Sequence, residues 1–228
     1  MSGRLKMPNW LSRRRAEPIE LDVLDAYAEW AGAYAPEAHN PVMQLEEQAV
    51  LELLPDVAGR RLLDLACGSG RYLKRLGPGA AGRAVGVDFS RPMLARAASL
   101  DRPLVQADLL GLPLAADSFD LIVCGLAVGH VADLSGSVSE MARVLTPGGV
   151  LVYSDFHPFG ALLGWKRTFR AANGAEYAAR HHVHLYEAHH AACRAAGLAI
   201  EAVREPRITV EHPYRGYPAV LVIRAVKP

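Results

Sequence analysis

Three carboxylates and one pair of glycines stand where they could hold a ligand. Asp64 lies inside the apolar run Leu62 to Ala66, which leads through Cys67, Gly68, Ser69 and Gly70 into a helical pattern from Arg71 to Leu76. Such a run followed by Gly-x-Gly reads as a strand, a tight loop and a helix start. Glycine at the loop lets backbone approach a ligand where a Cβ would collide, and it tolerates the unusual φ values of the turn. Asp88 ends the short apolar run Ala84 to Val87, 18 residues beyond Gly70, about where an α/β nucleotide-binding unit places the acid that takes a ribose. Asp108 ends another, Leu104 to Ala107. Two phosphate loops fit poorly. The third glycine of a dinucleotide fingerprint is replaced by Leu73, and no lysine follows Gly70 as a P-loop requires.

The spacing Asp64-x-x-x-Gly68-x-Gly70 resembles the first motif of class I S-adenosylmethionine-dependent methyltransferases. Further segments follow in that family's order: Val87-Asp88, Ala107-Asp108-Leu109, the run Phe119 to Cys124 with Gly125-Leu126 and His130-Val131 after it, and Arg143-Val-Leu-Thr-Pro-Gly-Gly149. The last of these resembles the branch that methylates small molecules, the ubiquinone/menaquinone-biosynthesis type included. The resemblance covers roughly residues 25 to 155. It implies S-adenosyl-L-methionine as cofactor, with Gly68 and Gly70 close to its methionine portion, Asp64 ordering the loop near the ammonium, and Ala66 and Gly125 also in the cofactor site. Asp88 would take the ribose hydroxyls, Asp108 and the backbone of Leu109 the adenine amine, and Phe89 and Met93 would flank the adenine. Singly, an aspartate at a strand end is as well read as a helix cap or surface charge; the ordered coincidence of three with a glycine loop is the stronger signal.

Methyl transfer from a sulfonium is an in-line displacement, so the protein's work is to position two molecules and exclude water. His130 is a candidate base for an acceptor hydroxyl or amine, with an ordinary structural histidine as the alternative. Asp155 and His157, just past the fifth strand of the core, are further candidates for substrate contact or base. The segment His181-His182-Val183-His184, with Glu187, His189, His190 and Cys193, invites a metal reading. No paired spacing matches a zinc signature and adjacent histidines point to different faces, so no metal is expected. Trp165, Phe169 and Tyr177 are either an apolar pocket wall or core.

The elements that must position these groups alternate regularly from residue 61: strand 61–66, helix 70–77, strand 84–88, helix 91–99, strands 103–107 and 119–125, helix 135–145 and strand 150–155. Apolar runs without polar alternation belong to strands covered on both faces. Ser90 and Pro92 mark one helix start. The expectation is a doubly wound, Rossmann-like, mostly parallel sheet of seven strands with a C-terminal antiparallel strand, its last two strands near 198–203 and 219–226. Before it, Leu21 to Tyr34 reads as a helix carrying Tyr27, Trp30 and Tyr34, either packed on the body or, as the resemblance implies, a lid over the cofactor. A second helix, Pro41 to Leu54, presents Val42, Leu45, Ala49 and Leu53 on one face. Residues 1–20 are expected as a flexible tail, 21–228 as one domain with 21–56 its helical lid, and 156–184 as a substrate-side insertion.

Composition narrows the partners. A net charge of +1 gives no reason to expect nucleic acid, and no apolar run is long enough to span a bilayer. Hydrophobic residues at 51% and charged residues at 21% fit a globular chain. Three cysteines are too few for a disulfide framework, so a cytoplasmic protein acting on a small molecule, as monomer or homodimer, is expected. The rivals are a protein that binds S-adenosylmethionine or its demethylated product without transfer, and a nicotinamide-dependent oxidoreductase, against which Leu73 and Asp108 both speak.

Overall fold

A computed structural model describes residues 17–80, 83–171, 174–212 and 214–228. Most of the expected tail, residues 1–16, therefore lies outside the described residues. Its end does not behave as a tail: Ile19–Leu21 form a strand, β1, followed by α1 (Val23–Trp30), a short 3-10 turn, and α2 (Pro41–Leu53). Asn40 caps α2 by accepting from the Met43 N–H at 2.9 Å, with Pro41 at the first position.

The central sheet is built from β2 (Leu62–Leu65), β3 (Ala84–Asp88), β4 (Leu104–Gln106), β5 (Phe119–Cys124), β6 (Leu145–Phe156), β9 (Ala199–Arg204) and β10 (Val220–Val226). Their order is β4-β3-β2-β5-β6-β10-β9. The first five run parallel and β10 lies antiparallel to both its neighbours, the arrangement expected from the apolar runs and the two late strands. The connecting helices are α3 (Arg71–Leu76), α4 (Arg91–Ala97), α5 (Leu134–Val144) and α7 (Tyr186–Ala195).

Alternate residues of the middle strands feed two cores. Leu63, Leu65, Ile122, Leu151 and Tyr153 pack with Val138 and Met141 of α5. Leu62, Leu121, Val123 and Val152 pack with Val50 and Leu53 of α2 and Leu73 of α3. Leu62, Leu63 and Leu65 are fully buried, each contributing about 1.5–3 kcal/mol. That burial fixes β2 at the middle of the sheet and so fixes the depth of Asp64.

Residues 156–184 are more structured than their irregular composition suggests. They hold α6 (Pro158–Leu162), β7 (Arg167–Arg170) and β8 (Glu176–Ala179). β7 and β8 pair antiparallel, and β1 joins β8 in parallel, Ile19 opposite Tyr177. The N-terminal segment and the insertion thus share a second, three-stranded sheet, and Ala26 of α1 packs with Phe169, Ala171 and Ala179 beneath it. Trp30 stacks on Phe169 at 4.8 Å between ring centres.

The inward face of α2 differs from the expected one. Met43, Glu46, Ala49, Val50 and Leu53 are buried, while Val42 and Leu45 sit only half-covered at its edge. The true stripe includes a charged residue, which the apolar spacing could not weigh.

Candidate active site

The chain leaves β2 first toward β3 and β4, then returns on the other side to β5. That reversal opens a crevice past the carboxyl ends of β2 and β5, where ligands sit in open α/β sheets. A cavity of about 380 Å³ occupies it, within the ~300–1,000 Å³ usual for small-molecule sites. Two non-glycine residues on its wall, Ala66 after β2 and Leu126 after β5, have left-handed φ values of 55° and 54°. Such backbone costs of order 1–3 kcal/mol and persists where the surroundings over-determine it, as ligand-binding turns often do.

Two aspartates tie the glycine loop down. Asp64, 1% exposed, accepts from the Leu73 N–H in the first turn of α3 at 2.9 Å through Oδ2. Among the described residues Oδ1 has no hydrogen-bond partner, and Asp64 lines the cavity. Burial raises its pKa to about 7, against the pull of the Leu73 N–H and of Arg71. Asp88 accepts from the Gly68 N–H at 2.7 Å and the Ser90 N–H at 2.8 Å, one on each oxygen. Burial raises its pKa too, opposed by those same N–H groups. Ser90 stands at the start of α4 yet its side chain makes no cap. Among the described residues its hydroxyl, buried on the cavity wall, has no partner.

The two glycines do different work. Gly68 lines the cavity with φ of 56°. Gly70 does not: it starts α3 at φ of 83°, and a Cβ there would run into Leu100 and stand 3.2 Å from the Ala97 Cβ. Gly70 therefore lets α3 pack against the end of α4.

Beneath the loop lies a polar knot that motif reading missed. Glu46 is 0% exposed and receives Arg71 Nη2 at 2.6 Å, the Tyr72 hydroxyl at 2.9 Å and the Ser154 hydroxyl at 2.7 Å. Arg71 also reaches Glu47 at 3.2 Å, and Ser154 accepts from the Leu126 N–H at 2.8 Å. One side chain of α2 thus couples the start of α3, strand β6 and the strained turn at Leu126. Gly125 is required beside it, since a Cβ would approach Tyr72 to 2.7 Å and Glu46 to 2.9 Å. The available sequence signal was a glutamate interrupting the stripe Met43, Val50, Leu53.

Across the cavity, Tyr27, Tyr34 and Arg167 face His130 and the strand ends. His130 Nδ1 lies 3.0 Å from the Arg180 carbonyl, which only accepts, so Nδ1 carries the proton. Nε2 then takes an N–H from Arg167 Nη1 at 2.6 Å, with the Tyr27 hydroxyl 3.1 Å away. Burial first, then the neighbouring Arg167 cation, press the His130 pKa down to about 3. The imidazole is neutral at any working pH and a poor proton acceptor.

Of the other expected residues, Tyr27, Tyr34, Asp64, Ala66, Gly68, Asp88, Phe89, Met93, Asp108, Leu109, Gly125 and His130 line this cavity together. Asp155 and His157 do not. Asp155 Oδ1 meets His181 Nε2 at 2.9 Å, behind Gly129. His157 turns away to start α6, accepting from the Phe159 N–H at 3.2 Å while its Nε2 lies 3.2 Å from Glu205. The histidines after residue 180 disperse: His184 meets the Val131 carbonyl, and His189 the Tyr153 hydroxyl. Among the described residues no group of three or more His, Cys, Asp or Glu side chains could hold a metal ion, and no helix is long and apolar enough to cross a membrane.

Residues 63–153 match the family model described as "Methyltransferase domain". An S-adenosylmethionine dependent methyltransferase from Mesorhizobium loti superposes with a TM-score of 0.67 at 27% identity, covering 80% of this chain and 97% of that one. Residues 63–153 thus carry a methyltransferase domain. The demethylmenaquinone methyltransferase of Thermus thermophilus is 38% identical over 117 residues, 47% of this chain and 52% of that protein. The malonyl-[acyl-carrier protein] O-methyltransferase of Enterobacter lignolyticus is 36% identical over 121 residues, 51% and 47% of the two chains. The chain thus spans about half the length of the curated relatives it matches. The methyltransferase domain coincides with the part that holds β2 to β6 and the crevice.

Proposed function

We propose that this chain transfers a methyl group from S-adenosylmethionine to a small molecule by in-line displacement. The observation that carries the proposal is the cavity at the strand-order reversal, where unpartnered polar atoms stand between two strained turns. Asp64 Oδ1 is free to take the cofactor's ammonium, and the orphaned Ser90 hydroxyl lies beside Asp88, whose oxygens each keep a lone pair for the ribose hydroxyls. Met93 and Phe89 flank the adenine, and Asp108, which accepts from the Leu110 N–H at 2.9 Å, takes its amine. Gly68 gives the methionine portion its room. These groups fit an adenosine joined to an amino acid. Bound there, the cofactor supplies an electrophilic methyl.

The chain's own part is to bind, orient and keep water out. Tyr27 and Tyr34, backed by Trp30 on Phe169, close the crevice as a lid built jointly by α1 and β7. Glu46 holds the loop from below. The substrate is a small molecule rather than nucleic acid, consistent with a net charge of +1, and the three buried free thiols support a cytoplasmic setting.

Isothermal titration with S-adenosylmethionine, S-adenosylhomocysteine and NAD tests the cofactor. The first two are expected to bind and NAD not; NAD binding alone would overturn the proposal. Methyl release over a panel of phenols, amines and carboxylates then separates a transferase from a non-catalytic binder.

A further inference from the structure

Arg167 on β7 is a guanidinium on the cavity wall whose partners are all neutral. Nη1 donates to the Leu126 carbonyl and to His130 Nε2, each at 2.6 Å, and the group stands 5.0 Å over the Phe156 ring. Among the described residues no carboxylate pairs with it. The contrast is Arg71 on the same wall, held by Glu46 and Glu47. Among the described residues Nε and Nη2 of Arg167 have no acceptor, and neither is among the buried unpartnered atoms, so they remain accessible. That half of the guanidinium is the fork that grips two oxygens of one anion.

A second observation points the same way. An acceptor that must lose a proton needs a base at the cavity, and the groups facing Arg167 do not offer one. The lone pair of His130 Nε2 is committed to Arg167, and its other nitrogen donates to the Arg180 carbonyl. The Tyr27 hydroxyl sits in the same cluster, its proton held firmly by burial. The Asp155–His181 pair does not reach the cavity wall. Of the carboxylates that also line the cavity, Asp64, Asp88 and Asp108 are assigned to the cofactor above and Asp133 accepts from the Gly136 N–H at 2.8 Å, while Val23, Leu24, Leu110 and Val131 supply apolar wall.

We propose that the methyl acceptor arrives as an anion, an ionised oxygen on an apolar body, and that Arg167 is the residue that selects it. The inference rests on the methyl-transfer reading above. An anionic oxygen gives its own electron pair to the new O–C bond, the pair of the broken C–S bond stays on sulfur, and no proton changes hands. Its charge also offsets the two cations, guanidinium and sulfonium, brought together in one crevice of low dielectric.

The test is binding to the full chain saturated with S-adenosylhomocysteine, using 1-naphthoate, 2,4-dinitro-1-naphtholate and the neutral isostere 1-naphthamide. At least one anion is expected to bind tenfold or more tighter than the amide. Arg167→Met should erase that preference while moving amide binding by less than twofold, and Arg167→Lys should keep part of it. Naphthoate as the preferred anion assigns a carboxylate acceptor, naphtholate an acidic ring hydroxyl. Equal binding of anions and amide in the wild type, or a preference that survives Arg167→Met, would overturn the proposal. S-adenosylhomocysteine affinity, measured on each variant, shows that the fold and cofactor site persist. Its absence in the wild type would bring down the methyl-transfer reading itself, and this inference with it.

Discussion

Replacing Asp64 by asparagine should make the protein more stable and worse at binding, and the two effects have different pH dependence. Burial lifts the Asp64 pKa from 3.8 to about 7 in the folded chain, which at ~1.36 kcal/mol per unit means that ionising it in place costs about 4 kcal/mol. A folded pKa raised above the unfolded one contributes stability that is whole below about pH 4 and is lost as pH climbs to about 7. Asparagine keeps an oxygen for the Leu73 N–H and carries no charge. Between pH 5 and pH 8 the stability of Asp64→Asn relative to the wild type should therefore grow by about 2–3 kcal/mol, roughly 5–10 °C in Tm for a chain of this size. Thermal or urea melts at the two pH values read this directly. A gap of the same size at both would refute the argument, because it would mean that Asp64 titrates like an exposed carboxylate. In binding, the same substitution removes the partner of the ligand's ammonium. S-adenosylhomocysteine affinity should fall tenfold or more at pH 7.5, and wild-type affinity should weaken as pH drops below about 7.

Three other substitutions probe the scaffold. Glu46→Ala leaves Arg71 buried beside only Glu47 and strips partners from Tyr72 and Ser154; unfolding in urea should show a loss of about 3–5 kcal/mol, and a loss under 1 would mean the knot is not structural. Gly70→Ala forces a Cβ against Leu100 at a left-handed φ, so stability should drop by ~2–3 kcal/mol while cofactor affinity of the folded protein stays within about threefold. A large affinity loss at preserved stability would return Gly70 to the ligand. His130→Gln should lower kcat/KM without changing the shape of its pH profile between pH 6 and 9, since the imidazole is already neutral there; an inflection that vanishes in the variant would make His130 the base.

The central sheet was legible because strands covered on both faces must be apolar throughout, and Leu62, Leu63 and Leu65 or Ile122 and Val123 leave little alternative. Asp64 and Asp88 were legible for the converse reason, as charges inside or ending such runs. The small sheet was not. β1 has three residues and its partner Tyr177 lies far along the chain from Ile19, so no local pattern announces the pairing. Arg167 gained its place only through that sheet. Asp155 and His157 were assigned to the rim from strand topology, but β6 continues to Phe156, and the chain then turns so that His157 caps α6 while Asp155 pairs with His181. Gly70 shows what a motif leaves out, since Gly68 lines the cavity while at Gly70 a Cβ would run into Leu100 beside α4.

One adenosine-bearing ligand is expected past the carboxyl ends of β2 and β3 with its amino acid end at Asp64 and its ribose at Asp88. A crystal structure with S-adenosylhomocysteine is the decisive test. The ligand ammonium should lie at Asp64 Oδ1, both ribose hydroxyls on Asp88, and the adenine between Phe89 and Met93. An empty crevice at saturating ligand, or density bound elsewhere on the chain, would contradict it.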